Sequence, residues 1–173
     1  MVVETLSIDT INANSPYEVK LADAVDTLCF ITDYDAEIFV TFERDELLHE
    51  GLVYQFGISN PKRVKSPRDP KVRETILAIV EEFFAKNQAA FLYICDTSGG
   101  MQKMRNRLFQ YWFGIYGERE EYVLLPQTIT DEEGNDNYAA LIIRKDNPLF
   151  ANLVSEFMAT VNLLNAKPEE YEE

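Results

Sequence analysis

Asp96, Gly99, Gly100, Lys103, Arg105 and Arg107 form the strongest chemical signal in the sequence. A strand ending at Asp96, a turn through Thr97-Ser98-Gly99-Gly100 and a helix start would present free backbone N–H groups at the positive end of a helix dipole, where phosphate binds. Three cations follow within two turns. These six residues are therefore the candidate ligand-binding set, for a phosphorylated small molecule or a nucleotide. The lysine-containing P-loop spacing and the dinucleotide Gly-x-Gly-x-x-Gly are both absent. A structural account competes: the glycines make the turn, Asp96 or Ser98 caps the helix, and Arg105 pairs with Asp96 at the edge of the apolar face.

Other routes to chemistry are sparse. His49 is the one histidine and sits in the turn-like DELLHEG, a surface position rather than a base. Cys29 and Cys95 lie in apolar strand-like runs and read as reduced core thiols. Without Cys/His clusters a zinc site is not expected. Asp33, Asp35 and Glu37 alternate in the manner of ligands for a hard cation, yet they fall where a hairpin loop breaks strand alternation, so solvated turn residues are expected. No catalytic residue, metal or cofactor is assigned. A basic stretch, Lys62, Arg63, Lys65, Arg68, Lys71 and Arg73, either binds an anion or answers acidic neighbours. No aromatic residue interleaves it, which disfavours stacking on single strands.

The elements that would position these residues can be read in turn. Val2 to Ile8 has the makings of a short strand, but residues 1–25 are poorly defined. Thr27–Thr32 and Glu37–Phe42 read as strands joined by the loop Asp33-Tyr34-Asp35-Ala36, and Leu52–Ile58 as a third. Asp69-Pro70 starts a helix, an acidic N-cap with proline at N1, striped by Val72, Ile76, Ile79, Val80, Phe83 and Phe84 and ending near Asn87. Phe91–Cys95 is a buried strand. Met101, Met104, Leu108, Trp112 and Ile115 stripe the next helix. Glu121–Thr130 and Asn137–Lys145 form a hairpin around DEEGND, with Pro126 at a bulge or at an edge where its lost donor faces solvent. Asn147-Pro148 repeats the cap-plus-proline start of a last helix, striped by Leu149, Leu153, Phe157, Val161 and Leu164. Phe91, Tyr93, Leu108 and Trp112 are expected to cluster with Val80 and Phe84. The order predicts an α+β fold: a mainly antiparallel sheet with about three helices packed largely on one face. A single domain over 1–173 is expected, with a frayed acidic tail at 167–173. The competing arrangement is two small sheets divided near residue 65.

Composition narrows the partners. The 173 residues carry a net charge of −14 and are 46% hydrophobic, which suits a packed core. Residues 1–60 hold 12 acids and 2 bases, 61–118 hold 6 and 10, and 119–173 hold 12 and 4. Such a field repels nucleic acid and anionic membrane, so no direct nucleic-acid binding is expected. No apolar run reaches the roughly 18–20 residues of a membrane span, and the start lacks the pattern of a secretory signal. A cytoplasmic address follows by default.

Tyr93-Ile94-Cys95-Asp96, Arg105-Asn106-Arg107-Leu108-Phe109 and Trp112-Phe113 resemble the core signature of a small family of uncharacterised bacterial proteins, a domain of unknown function. In that signature a strand ending Ile-Cys-Asp leads to a helix carrying Arg-x-Arg-Leu-Phe and Trp-Phe. Asp69–Phe84, Tyr122–Pro126 and Ile143–Pro148 with its following helix are also similar. The resemblance covers most of residues 27–165. It implies a compact cytoplasmic bacterial domain and carries no activity or site residues.

The expectation is therefore a non-enzymatic acidic domain acting through protein–protein binding, a homodimer included. The alternatives are a phosphate or nucleotide site at Asp96–Arg107, and an acidic mimic of nucleic acid.

Overall fold

The computed structural model describes residues 2–95, 114, 119–130 and 132–166. These fall into two compact units, one from Met1–Arg44 with Tyr54–Gln88 and the other from Asp45–Val53 with Ala89–Glu173.

In the first unit strands follow one another as an antiparallel meander: β1 (Lys20–Leu21), β2 (Thr27–Ile31), β3 (Glu37–Arg44) and β4 (Val53–Ser59). The short connections from β1 to β2 and from β2 to β3 favour antiparallel pairing of neighbours in sequence. Alternation puts Leu28, Phe30, Ile38, Val40, Phe42 and Phe56 on one buried face. Helix α1 (Ile8–Asn14) packs on helix α2 (Pro70–Lys86). The α2 stripe Ile76, Ile79, Val80, Phe83 and Phe84 is buried. Phe83 stacks on Phe42 with ring centroids 5.5 Å apart and meets Tyr54 edge-on at 5.8 Å, the offset geometries that aromatic quadrupoles favour.

Two local expectations are corrected. Val2–Ile8 is no strand: Val2–Thr5 forms a 3₁₀ turn and α1 begins at Ile8. The reason is Ser7, whose Oγ accepts from the Thr10 N–H at 3.1 Å as an N-cap, while its own N–H donates to buried Glu82 at 2.6 Å. A cap and a carboxylate outweigh the β-propensity of two valines. Cys29 is only half-buried, because β2 alternation places it on the face opposite Leu28 and Phe30.

In the second unit β7 (Asp136–Arg144) lies between β5 (Ala90–Cys95) and β6 (Tyr122–Thr130), both antiparallel to it. Gly134 takes φ +83° in the β6–β7 turn, a backbone state that glycine reaches without strain. Helix α3 (Phe150–Asn165) buries Leu153, Phe157 and Val161 against Leu92, Ala139, Leu141, Ile143, Leu48 and Val53. Its start is also corrected. Asn147 does not cap α3; its Oδ1 accepts from the Leu149 N–H at 2.9 Å in a turn of its own, and the helix begins at Phe150 without a side-chain cap.

Strands paired antiparallel and helices segregated from them make the fold α+β, as the element order predicts. Among the described residues no helix is long and apolar enough to cross a membrane.

Candidate functional site

Asp96, Gly99, Gly100, Lys103, Arg105 and Arg107 lie outside the described residues, as do the Arg105–Asp96 pair, Leu108, Trp112 and the tail 167–173. Phe91, Val80 and Phe84 are each buried, and Tyr93 half-buried.

Among the described residues, polar groups converge where the β2–β3 hairpin meets the start of α2. Asp69 caps that helix: one carboxylate oxygen accepts from the Lys71 N–H at 3.0 Å, with Pro70 at the first helical position. The other oxygen accepts the hydroxyl proton of Tyr17. The same hydroxyl accepts from the Asp33 N–H at 3.1 Å. Lys71 Nζ donates to Asp33 Oδ2 at 2.9 Å and lies 5.6 Å from the centre of the Tyr17 ring. Tyr17 itself is buried and stacks on Phe30 at 5.8 Å.

The hairpin is shaped by Thr32 as much as by its acids. Thr32 Oγ1 accepts from the N–H groups of Tyr34 and Ala36, both at 3.2 Å. Asp35 then adopts φ +62°, which Asp tolerates better than most side chains. Asp33 and Asp35 thus sit in the turn and Glu37 opens β3. Among the described residues no group of three or more His, Cys, Asp or Glu side chains is placed to hold a metal ion.

Electrostatics sets the protonation of Tyr17 and Lys71. Burial first, and then Asp69, pushes the Tyr17 phenol up to about 12, against the lowering effect of the Asp33 N–H. The hydrogen bond to Asp33 raises Lys71 above the ordinary lysine range. At neutral pH the phenol is neutral and the amine charged, so neither serves as a base or a nucleophile. The arrangement clamps a hairpin to a helix start.

The remaining candidates are dispersed. His49 is exposed in the loop before β4, and its backbone N–H donates to both oxygens of Glu156 at 2.8 and 2.9 Å, joined by the Glu50 N–H at 3.1 Å. Burial, then Glu37, raises the Cys29 thiol, which leaves it protonated and a slow nucleophile. In the basic stretch Lys71 answers Asp33, while Lys62, Arg63 and Lys65 are exposed. Arg63 takes φ +50° in a turn closed by its N–H to the Asn60 carbonyl at 2.9 Å.

Sequence reasoning flagged Asp33, Asp69 and Lys71 but missed Tyr17, Glu82 and Glu156. Nothing local marks them, because each finds its partner across the fold: 52 positions for Tyr17–Asp69, 75 for Ser7–Glu82 and 107 for His49–Glu156.

Residues 68–159, just over half of the chain, match a family described as a family of unknown function (DUF6169). No curated protein matches the chain.

Proposed function

Because the chain belongs to this family of unknown function, we propose its role from its own surface: a non-enzymatic acidic domain of the bacterial cytoplasm that acts by binding another protein. The supporting observation is the face of strands β1 to β4 that points away from the buried core. Register aligns Lys20, Cys29, Phe39 and Ser59 in one row across four strands, and places Ile31 opposite Glu37 beside it. Ile31 is 59% exposed, and Cys29 and Phe39 are only half-buried. An apolar centre with a charged rim of Lys20 and Glu37 suits a protein partner better than a small polar ligand. The Tyr17–Asp33–Asp69–Lys71 cluster fits this reading, since its groups are spent on one another.

The test uses Ile31→Lys, a change on an exposed side chain that leaves the core intact. Affinity capture from the source cells, followed by titration of the purified partner, should give one stoichiometric complex with wild type. The variant should weaken it at least about tenfold, or about 1.4 kcal/mol, with an unchanged melting temperature. Equal binding by the variant would overturn the placement of the surface. A nucleotide-dependent rise in melting temperature, lost on Arg107→Ala, would replace the reading with a phosphate site at Asp96–Arg107. Binding to a DNA-binding protein in competition with DNA would replace it with nucleic-acid mimicry.

A further inference from the structure

Among the described residues, strand β6 ends the order β5-β7-β6; it runs nine residues and contains no charged side chain (YVLLPQTIT). A long uncharged edge strand is a template for pairing with another chain, and natural proteins blunt such edges with charge, proline, bulges or a covering group. β6 has no charge to do this.

The direction of its backbone groups follows from the ladder. The Lys145 N–H donates to the Glu121 carbonyl at 2.8 Å, so Glu121 and the odd-numbered residues after it turn their polar groups toward β7. With a period of two, those of Leu124, Pro126, Thr128 and Thr130 face outward. Pro126 pairs with Ala140 in an unbroken register, so it is an edge residue without a bulge, and its missing N–H is missing on the outward side. Asn165, the last residue of α3, covers the next outward groups. Its Oδ1 accepts from the Thr130 N–H at 2.8 Å and its Nδ2 donates to the Thr128 carbonyl at 3.0 Å. A carboxamide bridging residues i and i+2 takes the place of a peptide group from a neighbouring strand.

We propose that Asn165 and Pro126 together keep the β6 edge closed to strand addition, and that the occupant they exclude is β6 of a second copy of this chain. Two identical uncharged edges meet without local repulsion and can pair antiparallel about a two-fold axis. The apolar side chains Val123, Leu125 and Ile129, which pack on the α3 core, would continue into the joined sheet. This inference is independent of the protein-binding surface on the first unit.

The test compares wild type with Asn165→Ala and with Pro126→Val, by light scattering and amide hydrogen exchange at about 0.15 M salt to screen the acidic surfaces. Each variant should show an average mass that climbs with concentration toward twice that of wild type. The Leu124 and Thr128 amides should become protected only at high concentration. Adding Thr128→Pro, which removes an outward donor, should abolish the association. Folded variants whose mass tracks wild type at every concentration would overturn the proposal. So would association that persists with Thr128→Pro. If Asn165→Ala does not fold, Pro126→Val decides by the same criteria.

Discussion

The hydroxyl of Tyr17 donates to Asp69, the residue that caps α2, across 52 positions of sequence. Because the same oxygen accepts from the Asp33 N–H, one phenol ties the N-terminal segment, the β2–β3 hairpin and the helix start together. Tyr17→Phe keeps the stacked ring on Phe30 and deletes only these bonds. It should lower unfolding stability by about 1–2 kcal/mol, since a part-buried amide and a carboxylate lose a partner. Urea denaturation measures this. A loss below about 0.3 kcal/mol would show that the bonds are replaced by water.

The same phenol predicts an alkaline signature. Its pKa rises from 10.0 to about 12 on folding, so the folded state favours the protonated form. The resulting stability is fully present below pH 10 and is lost as pH rises from about 10 to about 12. Stability measured against pH should fall more steeply through that window in wild type than in Tyr17→Phe. Parallel curves would contradict the burial of the hydroxyl.

How far the sequence carried this cluster depends on distance along the chain. Asp69-Pro70 was legible because an N-cap is a local device. The β2–β3 hairpin was legible because alternation stops at Ile31 and resumes at Glu37. Strands β4 to β7 and α2 fall within one or two residues of the periodicity-based expectation. The N-terminal segment was not legible. Val2, Val3, Leu6, Ile11, Tyr17 and Val19 are buried there without a helix or strand period. They are held by long-range bonds such as Ser7–Glu82 and by the Asn12 amide, which bridges the N–H and carbonyl of Val19 at 2.7 and 3.1 Å. The start of α3 misled because Asn-Pro is equally a turn signal and a cap signal.

Phe83 tests the core of the first unit. It is fully buried, stacked on Phe42 and in edge contact with Tyr54 and Phe84. Phe83→Ala should lower stability by about 3–5 kcal/mol through lost transfer and a cavity among rings that cannot all collapse inward. Phe83→Leu should recover more than half of that. Thermal melting with both variants checks it; equal losses would show that ring geometry, rather than volume, governs the site.

Gly57 faces Thr41 across the β3–β4 pair. A Cβ built there would lie 2.5 Å from Thr41 Oγ1, while the hydroxyl itself stays 3.5 Å from the Gly57 carbonyl. The strand therefore needs glycine for the space that Thr41 fills, with no unusual backbone angle involved. Gly57→Ala alone should destabilise by about 1–3 kcal/mol through overpacking. Removing the obstruction should undo it: in the Thr41→Ala background the same change should be close to neutral, or stabilising by a few tenths of a kcal/mol, as glycine loses more backbone freedom on folding than alanine. The double-mutant cycle isolates this coupling. Additive effects of the two changes would mean that Thr41 turns away at little energetic cost, and that some other neighbour holds position 57 to glycine.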